Sequence, residues 1–142
     1  MILYSIVFYI QILYYLYKTH NIQLLTISFI INTILKNIFR VERKLPKEHI
    51  ETGWLSHPIS KYLGFHYALP SGHSQLTTTI FLHYPTPIMG LMTIIVILQR
   101  YIDGFHTPLQ IISGIFVAVL IKLIPKLLSS NSYTNNGRTN TV

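Results

Sequence analysis

The fold of this 142-residue chain is decided by residues 2–17, ILYSIVFYIQILYYLY, which contain one side-chain amide and no charged residue. Residues 22–35, IQLLTISFIINTIL, are interrupted only by hydroxyl and amide groups, and residues 88–98 and 111–121 also lack charge. A helix exposed to water would carry charged groups along one face, so these segments predict membrane-embedded helices. No basic residue precedes the first segment and no small-residue cleavage pattern follows it, which predicts a retained anchor rather than a signal peptide.

Helix breakers and a change of composition divide the chain further. Pro85-Thr86-Pro87 predicts a tight hairpin between the helices on either side. The stretch from Ser129 is rich in Ser, Asn and Thr, so we expect a membrane-embedded domain over 1–128 and a disordered polar tail over 129–142. The sequence thus predicts an all-α fold, a polytopic membrane bundle of about five helices. The predicted helices are Ile2–Tyr17, Ile22–Phe39, Ser74–Tyr84, Ile88–Arg100 and Leu109–Leu128.

The composition excludes several other classes of protein. The formal net charge is +7, but the basic residues are split among helix ends and the tail instead of forming one patch, so we expect no nucleic-acid partner. Lysines at helix ends are typical of side chains that reach lipid headgroups. The chain has no cysteine, which excludes disulfides, thiolate catalysis and cysteine-ligated zinc. No other cluster of metal ligands is evident in the sequence, and we expect neither a metal nor a cofactor.

A candidate catalytic site surrounds the stretch Pro70-Ser71-Gly72-His73. Glycine lets the backbone approach an anion, and the first N–H groups of the following helix point at it. Arginine forks and lysine ammonium groups suit phosphate oxygens, whereas histidines can attack phosphorus or protonate a leaving oxygen. The residue types therefore predict a phosphatase with His106 as nucleophile, His73 as general acid, Gln110 as the group that orients His106, and a phosphate-binding set of Lys36, Arg43, Ser71, Gly72 and Arg100.

The predicted helices provide a geometric test of this assignment. Lys36 and Arg43 fall at the end of the second helix, His73 at the start of the third, Arg100 at the end of the fourth and His106 just before the fifth. Antiparallel alternation brings all these points to the same side of the membrane. The third and fourth helices span only about 16 and 20 Å against a hydrocarbon core of about 30 Å. Either these helices start beneath the headgroups, which places the site in the interface, or the membrane thins around them.

These residues resemble the three-part signature of the type 2 phosphatidic acid phosphatase superfamily, over about Lys36 to Ile121. The family pattern is Lys, six residues, Arg-Pro; then Pro-Ser-Gly-His; then Ser-Arg, five residues, His, three residues, Asp. The resemblance implies the residue roles given above and a metal-independent reaction. In this chain the first part is Lys36 to Arg43 followed by Lys44 in place of Pro, the second is intact at Pro70–His73, and the third is Gln99-Arg100 to His106 with Gln110 in place of Asp.

The glutamine at position 110, in place of Asp, suggests a resemblance to one branch of the superfamily. Dolichyl diphosphatases also have glutamine at this place, and they resemble the chain in Ser74-Gln75 after the Pro-Ser-Gly-His run and in His106-Thr107. The resemblance implies hydrolysis of a polyprenyl diphosphate to the monophosphate. We expect a multi-pass membrane protein, with the endoplasmic reticulum membrane as a candidate location. The expected partners are the lipid substrate and the bilayer.

Two alternatives stay open at this point. Phosphatidate or another lipid phosphate can be the substrate with the same chemistry. The departures from the family pattern also fit a decayed site in a protein kept as a membrane scaffold.

Overall fold

The computed structural model describes residues 2–42 and 67–135 and, within them, the side chains of residues 6–42 and 67–124. These parts of the chain form five helices and one isolated antiparallel bridge, between Glu42 and Tyr67. The prediction of an all-α bundle of about five helices is confirmed. The helices are α1 (Ile2–Thr19), α2 (Ile22–Phe39), α3 (Gly72–His83), α4 (Pro87–Ile102) and α5 (Pro108–Asn135).

Short polar side chains set the helix starts. Asn21 caps α2, where its side-chain oxygen accepts the Leu24 N–H at 3.1 Å. Thr86 caps α4 in the same way, and Pro87 occupies the first helical position, where its fixed φ suits the helix. The predicted hairpin at Pro85-Thr86-Pro87 is therefore present, since α3 ends at His83 and α4 begins at Pro87.

The last helix is longer than the sequence predicted. We expected it to end at Leu128, before a disordered tail, but α5 continues to Asn135. The predicted boundary relied on composition, and the Ser- and Asn-rich residues after Leu128 extend the helix all the same. Residues 136–142 of the predicted tail lie outside the described residues.

Helix α3 is the centre of the bundle. It packs against the other four helices, most extensively against α5. Its buried side chains are mainly polar, with Ile80 the one apolar member. The core therefore consists of polar contacts around α3 and of a smaller apolar cluster that includes Tyr15, Leu25, Ile80 and Met89. The polar contacts come from Ser74, Gln75, Thr77 and Thr79.

Candidate active site

The start of α3 is tied to the first turn of α5. Ser71 is fully buried, and its Oγ accepts hydrogen bonds from the N–H of Ser74 at 3.4 Å and from the Ser74 hydroxyl at 2.9 Å. The Ser71 N–H donates to the backbone carbonyl of Gln110 at 3.0 Å. Ser71 is thus the N-cap of α3, and its own hydroxyl hydrogen takes no part in these bonds. The cap fixes the direction in which the first N–H groups of α3 point.

A buried lysine lies beside this helix start. Lys36, in the last turn of α2, is 3% exposed. A Cβ on Gly72 would lie 3.8 Å from the Lys36 Nζ and 3.0 Å from the Oδ1 of Asn32. Because Gly72 has no side chain, the ammonium and the helix start come close together. An anion at this point would meet a full positive charge and the positive end of the α3 dipole.

A second buried cation ends α4. Arg100 is 3% exposed, and its guanidinium lies over the ring of Phe105 at 4.5 Å from the ring centroid. Its backbone carbonyl accepts the N–H of His106 at 3.3 Å. The stacking contact favours a fixed plane for the guanidinium, which a bidentate phosphate contact requires. Sequence reasoning named Arg100 and His106 but not Phe105.

The contacts of Gln110 define the tautomer of His106. The Gln110 Oε1 accepts the backbone N–H of Thr107 at 3.0 Å, which identifies this end of the amide as the oxygen. The same oxygen lies 3.3 Å from the Nδ1 of His106. An amide oxygen can only accept, so Nδ1 carries the hydrogen and the lone pair of the neutral ring is on Nε2. Gln110 therefore orients the His106 ring through Nδ1 and leaves Nε2 with its lone pair.

His73 opens onto a cavity of about 320 Å³ between α1, α2 and α3. Its ring lies against Phe8, with 4.7 Å between the ring centroids. Lys36 and Gly72 line the cavity at the same end. The other lining residues are Tyr9, Ser28, Phe29, Asn32, Gln75 and Leu76. The cavity thus joins a cationic end to a largely aromatic and aliphatic wall.

The structure brings most of the predicted site residues to one end of the bundle. The consecutive residues Ser71 and Gly72 connect Lys36 to His106. Gly72 lies beside Lys36. The Ser71 N–H donates to the backbone carbonyl of Gln110, whose side chain contacts His106. Arg43 and the neighbouring Lys44 lie outside the described residues. Neither Asn32 nor Phe105 was singled out from the sequence, and Gln75 was named only through the resemblance to dolichyl diphosphatases. Packing brings these three residues to the site.

The described residues contain no group of three or more His, Asp or Glu side chains placed to hold a metal ion. A buried lysine beside a helix start, together with a buried arginine and two histidines, is typical of a site that handles phosphate.

A family model described as the PAP2 superfamily matches residues 19–132. The chain belongs to this superfamily, whose members are phosphatases that act on phosphate esters, often lipid phosphates. No curated protein and no solved structure shows significant similarity to the chain.

Proposed function

We propose that the chain is an integral membrane lipid phosphatase that removes the terminal phosphate of a polyprenyl diphosphate of the dolichyl type without a metal ion. The observation that carries the proposal is the cavity beside His73. Its cationic end, at Lys36 and Gly72, suits a phosphate, and its walls of Phe8, Phe29 and other apolar side chains suit a hydrocarbon chain.

The distribution of polar groups favours a membrane environment. One helix of the described chain, α2, is long and apolar enough to cross a membrane, with a mean hydropathy of 1.5, while α4 and the segment Pro108–Ile124 are apolar but shorter. Large apolar side chains cover the outside of the bundle; Leu13, Ile102 and Leu109, for example, are 66%, 72% and 70% exposed. The buried centre around α3 is polar. Polar groups that face inward and apolar groups that face outward are typical of a membrane bundle.

The proposed reaction begins with attack on the terminal phosphorus. The lone pair on Nε2 of His106 forms a P–N bond while the bond from phosphorus to the bridging oxygen breaks. His73, on the side of the apolar cavity, supplies a proton to the departing oxygen, so that the lipid leaves as its monophosphate. The Nδ1–H of His106 stays bonded to Gln110, which supports the positive charge that develops on the ring.

The second step returns the protein to its starting state. Water attacks the phosphorus of the phosphohistidine, and His73 takes up the proton that the water releases. The P–N bond breaks, inorganic phosphate leaves and the neutral His106 is restored. Lys36, Arg100 and the N–H of Gly72 hold the equatorial oxygens in both steps, where fixed positive charge replaces the charge that a metal ion would supply.

The choice of a polyprenyl diphosphate depends on the resemblance at Gln110 and Ser74-Gln75. In the fold, Gln110 contacts His106 and Gln75 is buried against α2, so both residues lie at or beside the proposed site. Phosphatidate or another lipid phosphate is the second candidate, since the same cavity accepts an acyl chain. A catalytically decayed scaffold is the third.

Phosphate release by purified protein in detergent distinguishes these candidates. We expect release from polyprenyl diphosphates to exceed release from phosphatidate and from a soluble sugar phosphate, and to persist in excess chelator and decline with vanadate. The His106→Ala variant serves as the inactive control. A preference for phosphatidate would contradict the assignment of a polyprenyl diphosphate as substrate, and a requirement for magnesium would contradict the metal-independent mechanism. Absence of phosphate release from every ester would favour the scaffold.

Gln110 offers a test of the orienting contact. In Gln110→Glu an anion would lie beside the His106 ring and favour its protonated form. Protonated imidazole has no lone pair for attack, so we expect the acidic limb of the pH–rate profile to move to higher pH. In Gln110→Ala we expect kcat to fall by about tenfold or more with little change in KM, because an outer hydrogen bond that orients a reacting group is lost. An unchanged pH profile in Gln110→Glu together with an unchanged kcat in Gln110→Ala would remove the orienting role.

A further inference from the structure

A chain of three buried polar residues connects the middle of the bundle to the phosphate-binding end. The Nε2 of Gln75 donates to the backbone carbonyl of Ser28 at 2.8 Å and to the Ser28 hydroxyl at 3.1 Å. The Oε1 of Gln75 accepts a hydrogen bond from the Nδ2–H of Asn32 at 2.7 Å. Ser28, Asn32 and Gln75 are all buried. We call this chain of contacts the Ser28–Gln75–Asn32 relay.

The relay has only one orientation. A backbone carbonyl can only accept, so the end of Gln75 that faces Ser28 must be the amide nitrogen. The oxygen of Gln75 then faces Asn32, which must present its own nitrogen to it. The Oδ1 of Asn32 is therefore turned away from Gln75, and it lies 3.0 Å from the position of a Cβ on Gly72.

This oxygen shares its location with the Lys36 ammonium. Asn32 and Lys36 are one helical turn apart on α2, so their side chains lie on the same face. The Lys36 Nζ is 3.8 Å from the same point at Gly72. A carbonyl oxygen with a fixed direction attracts the ammonium and limits the rotamers of a long side chain, which otherwise carries much conformational freedom.

We propose that the Ser28–Gln75–Asn32 relay is a positioning device that holds the Lys36 ammonium beside Gly72 for the phosphate. The inference rests on the proposed function, in that it assigns Gln75 and Asn32 to the phosphate-binding end of that site. Neither residue needs to touch the substrate. Gln75 acts on the phosphate only through Asn32 and Lys36.

The bundle contains a matched control for this relay. Gln11 is also a fully buried glutamine, and its amide accepts from the Thr77 hydroxyl and donates to the Thr93 Oγ1 at 2.9 Å. This second set joins α1, α3 and α4 and has no contact with Gly72 or Lys36 among those described. Loss of Gln11 costs comparable buried hydrogen bonds without involving the site.

The test is the affinity of the full-length protein for orthovanadate, measured by calorimetry in detergent. We expect Gln75→Leu and Lys36→Met each to weaken binding by about tenfold or more, the scale of a lost contact to a charged group. In Lys36→Met protein, Gln75→Leu should add less than about twofold, because the two changes remove one interaction. Gln11→Leu should change the affinity by less than about twofold. Thermal unfolding of each variant checks that it is folded.

Two results would overturn the relay. One is an equal effect of Gln75→Leu in wild-type and Lys36→Met protein, and the other is an equal loss of affinity in Gln11→Leu. If Gln75→Leu does not fold, Asn32→Ala enters the same double-mutant cycle in its place. Measurement of phosphate release separates this inference from the proposed function. If the effects of Gln75→Leu and Lys36→Met on vanadate affinity are non-additive but the protein releases no phosphate, the relay is supported and the phosphatase is contradicted. If the protein releases phosphate normally but the two effects are additive, the phosphatase is supported and the relay is contradicted.

Discussion

His106→Ala protein should release no phosphate from any lipid and should take up no radiolabel from a phosphate-labelled substrate. The substitution removes the Nε2 lone pair that Gln110 holds in place through Nδ1, at 3.3 Å. His73→Ala should instead slow cleavage by roughly a hundredfold or more, the scale of a lost general acid. Rapid acid-free quenching followed by gel electrophoresis measures the label, and phosphate release measures the turnover.

His20 is a suitable control for these two variants. It is exposed in the turn between α1 and α2 and has a positive φ of 50°. Asparagine tolerates this conformation, so His20→Asn removes an imidazole without straining the turn. We expect its turnover and labelling to equal those of the wild type. Normal activity in folded His106→Ala protein would end the phosphohistidine mechanism.

The sequence predicts the helices well where a local signal marks their ends. The predicted and observed bounds of α2, Ile22–Phe39, agree because Asn21 caps its start and Lys36 and Arg40 lie at its end. Helix α3 begins at Gly72 rather than at the predicted Ser74, since the capping residue is Ser71. Ser71 lies three residues before the predicted start, and a serine cap leaves no trace in an apolar pattern.

Some residues of the candidate site could likewise be predicted from the sequence, and others could not. The reactive types are recognisable from their chemistry and spacing, as at His73, Arg100 and His106. Asn32, Gln75 and Phe105 are ordinary residues whose importance depends on what packs against them. The Asn32 and Gln75 amides meet across 43 residues of sequence, and no local pattern predicts such a contact. On α5, Gly114 and Ala118 are both buried, and small residues such as these allow helices to pack closely.

Gly114→Ala should have a larger effect than its size suggests. A Cβ at Gly114 would lie 2.6 Å from the Ser71 carbonyl oxygen and 3.1 Å from the Gln75 nitrogen. Both are backbone atoms at the start of α3, so the methyl group can be accommodated only if α3 and α5 separate. Separation moves Ser71 away from Gln110 and displaces the site between them. We expect a loss of about 1 to 3 kcal/mol in the free energy of unfolding and of about a hundredfold in kcat.

Gly90→Ala is the matched control, because it adds the same methyl group to a helix that also packs against α3. Its Cβ would lie 3.3 Å from Cε2 of Phe81, the far end of a side chain that can rotate. Alanine also stabilises a helix interior relative to glycine by about 1 kcal/mol. We therefore expect Gly90→Ala protein to keep wild-type turnover and stability, measured by phosphate release and thermal unfolding. If Gly114→Ala matched it in both measurements, the α3 start could move relative to α5 without consequence, and the contact between Ser71 and Gln110 would have no part in the chemistry.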